Sequence, residues 1–164
     1  MGVNPLRFLF AAIMILCLAG CNRGPTPRMI GSAALDFTVK DSDRTVSLHD
    51  FRGKLVVLNF WATNCAPCVE EMPSLVQLQK QMGSRVTILA VSSDKSENDY
   101  HRFLAKYHID LLTVRDSSAE SSMLYGTTGI PETFIIDRSG TIRRKFVGPI
   151  DWTSPEIVEY LQKL

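Results

Sequence analysis

The chain has 164 residues, 45% hydrophobic and 21% charged, enough for one domain with a core of its own and too ordinary for a fibre or a disordered tail. Formal charge is +1, and Arg7 is the only charged residue among the first twenty, so without that segment 17 basic residues face 17 acidic ones. No basic stripe argues for nucleic acid, and no run of like charge argues for an interaction tail.

Residues 1–21 read as a secretory signal: Arg7 supplies the positive end, Phe8 to Leu18 an apolar run, and small residues precede Cys21. The run falls short of the ~20 apolar residues a spanning helix takes, so a cleaved segment is expected ahead of an uncleaved anchor or a buried helix. Leu18-Ala19-Gly20-Cys21 resembles the bacterial lipoprotein box, which implies that Cys21 is acylated and becomes the new N-terminus. Met1-Gly2 is no myristoylation signal, because Leu6 stands where Ser or Thr is needed. Residues 22–32, with two prolines and two glycines, read as a tether to a domain over residues 33–164.

Within that domain Leu35, Phe37 and Val39 alternate with polar residues, and Val46 and Leu48 resume beyond Asp41-Ser42-Asp43, predicting an N-terminal hairpin. Leu55 to Phe60 is a near-continuous apolar run that fits a central buried strand. Val69, Met72, Leu75, Val76 and Met82 then share one helix face, with a kink expected at Pro73 and a stop at Gly83. Val86 to Val91 predicts a second buried strand, parallel to the first through a right-handed crossover. Ser96 and Asp99 predict a cap for the helix carrying Tyr100, Phe103, Leu104 and Tyr107. A short strand over 109–114 and a short helix over 117–125 follow. A hairpin over 133–147 then turns at Arg138-Ser139-Gly140, and Ser154 and Pro155 open the last helix. These elements make an α/β fold whose central mixed sheet is flanked by helices.

Chemistry concentrates where the first central strand meets its helix, at Cys65-Ala66-Pro67-Cys68. Two cysteines separated by two residues at a helix start form a redox arrangement. Cys65 takes the exposed cap, where free N–H groups and the helix dipole favour a thiolate by about 0.3–2 kcal/mol, roughly one pKa unit or less. Cys68 lies one turn inside and is shielded, so Cys65 attacks and Cys68 resolves. With Cys17 and Cys21 in the N-terminal segment, the domain holds this single dithiol and no pair for stapling. Zinc would need about four ligands, and His49, His101 and His108 share neither a ligand spacing nor an element. A non-enzymatic copper-binding chaperone, using the sulfurs as soft ligands, is an alternative that metal content would separate.

Three separated stretches carry a resemblance: Asn59-Phe60-Trp61-Ala62 before the cysteines, Glu71 and Pro73 after them, and Gly129-Ile130-Pro131-Glu132-Thr133-Phe134. Together they resemble the TlpA/ResA/CcmG group of membrane-anchored extracytoplasmic thiol-disulfide oxidoreductases, which have the thioredoxin fold, and Ser92 to Tyr125 resembles that group's extra strand–helix insertion between the two halves of the fold. The resemblance implies a cis peptide before Pro131, facing the dithiol, with the Ile130 backbone free to pair with an extended substrate strand. It implies Glu71 as the carboxylate that takes the Cys68 proton, the more so as Asn59 stands where ordinary thioredoxins have a buried Asp. Trp61 is expected to pack and to form part of the substrate rim, and Glu132 to follow the proline at the substrate side, as in the cytochrome c maturation branch. Asn64 departs from the group's second Trp and removes an apolar docking surface.

The implied activity is reduction of protein disulfides, with apocytochrome c among the candidate substrates. A membrane electron donor of the DsbD or CcdA kind would recharge a monomer lipid-anchored in the bacterial envelope. No metal, nucleotide or other cofactor is expected. A thiol peroxidase on the same fold is the rival enzyme, but it would commonly need a Thr where Ala62 stands, three residues before Cys65, and an Arg elsewhere.

Overall fold

The computed structural model describes residues 30–164. The expected signal segment 1–21, the lipidation site Cys21 and tether residues 22–29 lie outside the described residues. Gly31 donates its N–H to the Ile142 carbonyl (2.7 Å) and Ala34 donates to Gly140 (2.8 Å), so the chain is already tied to the domain ahead of the boundary expected at residue 33. Among the described residues no helix is long and apolar enough to cross a membrane.

A two-stranded antiparallel hairpin, β1 (Thr38–Lys40) and β2 (Thr45–Ser47), precedes a five-stranded sheet. That sheet is ordered β5-β4-β3-β6-β7, from β3 (Val56–Trp61), β4 (Thr87–Ser92), β5 (Leu112–Arg115), β6 (Glu132–Ile136) and β7 (Ile142–Val147). β3, β4 and β5 run parallel, while β6 and β7 are antiparallel to their neighbours, giving the expected mixed sheet. Every residue of β3 is buried, because both faces of the sheet are covered. One face packs Leu55, Val57, Trp61, Ile88 and Ala90 against α1 (Ala66–Met82), α2 (Glu97–Lys106) and α4 (Pro155–Gln162). The other face packs Val56, Leu58, Phe60, Leu89 and Val91 against Val39 and Val46 of the hairpin and Tyr125 beyond α3 (Glu120–Leu124). Fully burying one such side chain stabilises by about 1.5–3 kcal/mol, so this two-sided core fixes where the strand ends lie.

Local departures from the expected elements have local causes. β5 starts at Leu112 because residues 107–109 close the end of α2: His108 has φ +50° and the Ile109 amide bonds the Leu104 carbonyl. α3 is short because Asp116 draws Ala119 into a turn, with φ +60° at Ala119. Ser96 caps α2 as expected, accepting from the Asp99 amide (3.2 Å). Ser154 occupies the cap position of α4 without a side-chain cap bond; Asp151 holds that turn instead, through the Thr153 amide (2.9 Å) and hydroxyl (2.6 Å). α1 continues through Pro73 to Gly83, which ends it at φ +57°.

The ends of the sheet differ in content. Trp61 and Ser92, the last residues of β3 and β4, and Glu132, the first of β6, share one end. The β6–β7 turn and Gly31 occupy the opposite end.

Candidate active site

Cys65 is the N-cap of α1, in extended conformation (φ −101°, ψ 102°), and its sulfur accepts the Cys68 amide at 3.2 Å. Pro67 fits the first turn, where a missing N–H costs nothing. The two sulfurs are joined, 2.03 Å apart, with Cys65 half-buried and Cys68 buried. The unequal burial matches the expected division between an accessible sulfur and a shielded one.

The Ile130-Pro131 peptide is cis. It brings the Ile130 carbonyl oxygen to 3.6 Å from Cys65 Sγ. Among the described residues neither the amide nor the carbonyl of Ile130 takes a backbone hydrogen bond, which leaves both available to an extended chain lying beside Cys65. Pro131 is itself held, its carbonyl accepting from the Gly148 amide (2.9 Å). Beside this loop, Asn64, Thr63, Ser93, Ser96 and Ile130 line a groove of about 420 Å³. Asn64, on its wall, stands where a second Trp was the family expectation.

Two buried carboxylates sit on the segments that carry the dithiol, one bonded to the turn before Cys65 and one on α1 after Cys68. Asp94, in the loop after β4, accepts the Thr63 amide (3.0 Å), the Thr63 hydroxyl (2.7 Å) and the Ser92 hydroxyl (2.6 Å), and so fixes the turn that presents Cys65. Glu71 lies three residues after Cys68 on the buried side of α1 and is 3% exposed. Its Oε1 accepts from the Trp152 indole N–H (2.5 Å) and the Ile150 amide (3.2 Å). Its Oε2 accepts from Asn59 Nδ2 (3.4 Å), which also donates to Thr133 Oγ1 (2.9 Å). Burial pushes the Glu71 carboxyl up to about 6, and the bonds from Trp152, Ile150 and Asn59 oppose that rise only in part. A carboxyl poised there can take up or release a proton near neutral pH.

Two expectations are corrected. Trp61 is fully buried against Tyr100 and Phe103 (centroids 6.3 and 5.3 Å), and its indole N–H has no acceptor among the described residues. It is therefore packing beneath the site rather than substrate rim. Glu132 is 1% exposed and ion-paired with Lys145 at 3.0 Å, so it too is withdrawn from substrate. Cys65 meets Cys68 through the disulfide and the Ile130 carbonyl at 3.6 Å, with Pro131 next along the chain, while Glu71 follows Cys68 by three residues on α1. Sequence reasoning missed Trp152 and Asp94, whose partners lie 81 and 31 residues away along the chain. Of the histidines, His49 meets Asp36 and His101 meets Asp43 and Glu97; among the described residues no three His, Cys, Asp or Glu side chains converge on a metal-sized site.

The model of the AhpC/TSA family matches residues 30–145. The thiol-disulfide oxidoreductase ResA of Bacillus thuringiensis subsp. konkukian is 31% identical over 173 aligned residues, spanning 100% of this chain and 99% of ResA. A Chlorobium tepidum protein described as a DsbE-type thiol:disulfide interchange protein superposes with a TM-score of 0.72 at 31% identity, covering 83% of this chain and 94% of its own. The exposed lipoprotein thioredoxin Etrx1 of Streptococcus pneumoniae superposes with a TM-score of 0.69 at 27% identity, covering 79% and 100%. The architecture is thus the thioredoxin fold.

Proposed function

This chain belongs to the AhpC/TSA family and is a thiol-disulfide oxidoreductase; we propose that it acts outside the cytoplasmic membrane, tethered by lipid on Cys21, as a reductase of disulfides in other proteins. One observation carries the chemistry: an accessible sulfur at a helix cap, bonded to a shielded one, beside an Ile130 backbone that makes no backbone hydrogen bond among the described residues. In the reduced protein the Cys65 thiolate attacks a partner disulfide and displaces one partner sulfur as thiolate, forming a mixed disulfide. Glu71 carboxylate takes the Cys68 proton, and the Cys68 thiolate attacks Cys65 Sγ. The partner leaves with both electrons, and Cys65–Cys68 is oxidised. Recharging requires an external dithiol, for which a membrane carrier of the DsbD or CcdA kind is the proposed source. Apocytochrome c is the proposed substrate class, by the resemblance around Pro131-Glu132.

The Leu18–Cys21 motif supports the lipid tether, as does the likeness to a pneumococcal lipoprotein. The peroxidase reading is disfavoured, since the position three before Cys65 is the buried, hydroxyl-free Ala62. The test is Cys68→Ser in cells. A mixed disulfide through Cys65 is expected on non-reducing gels, in the membrane fraction, and moved to the soluble fraction by Cys21→Ala. Absence of any trapped partner overturns the reductase reading, and membrane retention of the Cys21→Ala protein overturns the lipid tether.

A further inference from the structure

We propose that Trp152 is a positioning residue for proton transfer at the dithiol: its indole N–H, with the Ile150 amide, clamps the Glu71 carboxylate and sets the pH above which that carboxylate takes the Cys68 proton. This rests on the reading of Glu71 as the proton acceptor. Residues 148–152 form a strap across the site: the Gly148 amide bonds the Pro131 carbonyl at one end, and Trp152 meets Glu71 at the other. Trp152 is fully buried, edge-on to Phe146 (centroids 5.3 Å, 79°), so its N–H has no freedom to turn to solvent. The bond to Glu71 Oε1, at 2.5 Å, is the shortest that this carboxylate receives.

The strap does not depend on that bond for its own placement. The Ser74 hydroxyl accepts the Trp152 amide (3.3 Å) and lies 3.3 Å from the Ile150 carbonyl and 2.8 Å from the Glu71 carbonyl, pinning the backbone to α1. Deleting the indole donor therefore removes one contact of the carboxylate and leaves the loop fastened. The other titratable or charged groups on the packed elements are Cys68, Glu70 and Lys80 of α1, Glu132 of β6, Arg143, Arg144 and Lys145 of β7, Asp151 of the strap, and Glu156, Glu159 and Tyr160 of α4. Asp151 is bonded to Thr153, Arg143 is paired with Asp137, Arg144 with Glu156, Lys145 with Glu132 and Glu159 with Lys163, and among the described residues no ion pair reaches Glu71. A donor to the ionised form favours ionisation, so its removal must make the carboxylate hold its proton to higher pH.

The step is Cys68–SH plus Glu71–COO⁻ going to Cys68–S⁻ plus Glu71–COOH, after which the thiolate displaces the leaving sulfur from Cys65. It can be timed with the full-length reduced protein in detergent and 5,5′-dithiobis(2-nitrobenzoate). The first coloured thiolate appears when Cys65 forms the mixed disulfide, the second when Cys68 resolves it. The expected result is that Trp152→Phe raises the pH midpoint of the second phase by about one unit, a roughly tenfold slowing below the midpoint that disappears at high pH. In a Glu71→Gln background the same change should add no further shift. A wild-type midpoint in Trp152→Phe, or a uniform slowing at every pH, overturns the inference while an altered profile in Glu71→Gln leaves the Glu71 reading standing. An unchanged profile in Glu71→Gln removes both. If Trp152→Phe does not fold, replacing Trp152 with β-(3-benzothienyl)alanine deletes the N–H and keeps the ring, and its midpoint decides the matter.

Discussion

Glu71 and Asp116 are both buried carboxylates, 3% and 6% exposed, yet burial leads to opposite ends. At each, loss of water is the largest influence and works against the charge. At Asp116, in the turn between β5 and α3, the Ser121 hydroxyl (2.6 Å), the Ser118 hydroxyl (2.7 Å) and the Ser121 amide (2.8 Å) outweigh it, and the carboxyl sits below its ordinary range. At Glu71 one short bond and two long ones do not suffice, and the carboxyl rises to about 6. Burial alone does not mark a proton-handling group; burial with too few close donors does. Asp116 is a knot in the chain, and Glu71 is the group to which the proposed mechanism gives the proton.

The sharpest test of that contrast is kinetic. Glu71→Gln should slow resolution of the Cys65 mixed disulfide at pH 7 by about 100-fold, the lower end of what a positioned base contributes. Asp116→Asn should leave that rate unchanged; equal slowing in both would dissolve the distinction. Next in size is stability. Asp116→Ala strands a buried amide and two hydroxyls and should cost about 2–3 kcal/mol in urea unfolding, with the resolution rate of the folded fraction intact.

The smallest effect is linkage to pH. The Glu71 carboxyl is raised from 4.5 to about 6 on folding. Its stabilising share is therefore whole below pH 4.5 and is lost as pH climbs through 6, a swing of about 2 kcal/mol. Relative to wild type, Glu71→Gln should gain about that much between pH 4.5 and pH 8. Asp116, held low, behaves oppositely: its stabilisation is present above the ordinary carboxylate range and fades as pH falls through it. Flat Glu71→Gln-minus-wild-type stability across this range would show that burial does not strain the charge.

What the sequence makes legible is what neighbours in the chain decide. The apolar runs of β3 and β4, the cap at Ser96 and the strand–dithiol–helix junction are all set within a few residues. Pro131 and Glu71 are legible only through family resemblance, because their positions mean nothing without the helix and strand they meet. The indole of Trp152 is invisible to any local pattern, being one side chain in a turn that happens to cross α1. Trp61 and Glu132 mislead for a related reason. Alternation along a strand says which face a residue takes but not how thickly that face is covered, and α2 lies over Trp61. Glu132, a charge beside a proline, looks exposed until Lys145 of the adjacent strand closes over it.

Gly31 enters the domain against Ile142, the first residue of β7, whereas Val147, the last, pairs with Glu132 beside the cis-proline. The leash and the business end are separated by the height of the sheet, about 16–20 Å for a six-residue strand. On the proposed lipid tether at Cys21, the chain would enter the domain at the end of the sheet away from the sulfurs. A donor embedded in the bilayer, as proposed, would have to reach the far end of the sheet, so charging and spending of electrons would take place in different orientations of one molecule.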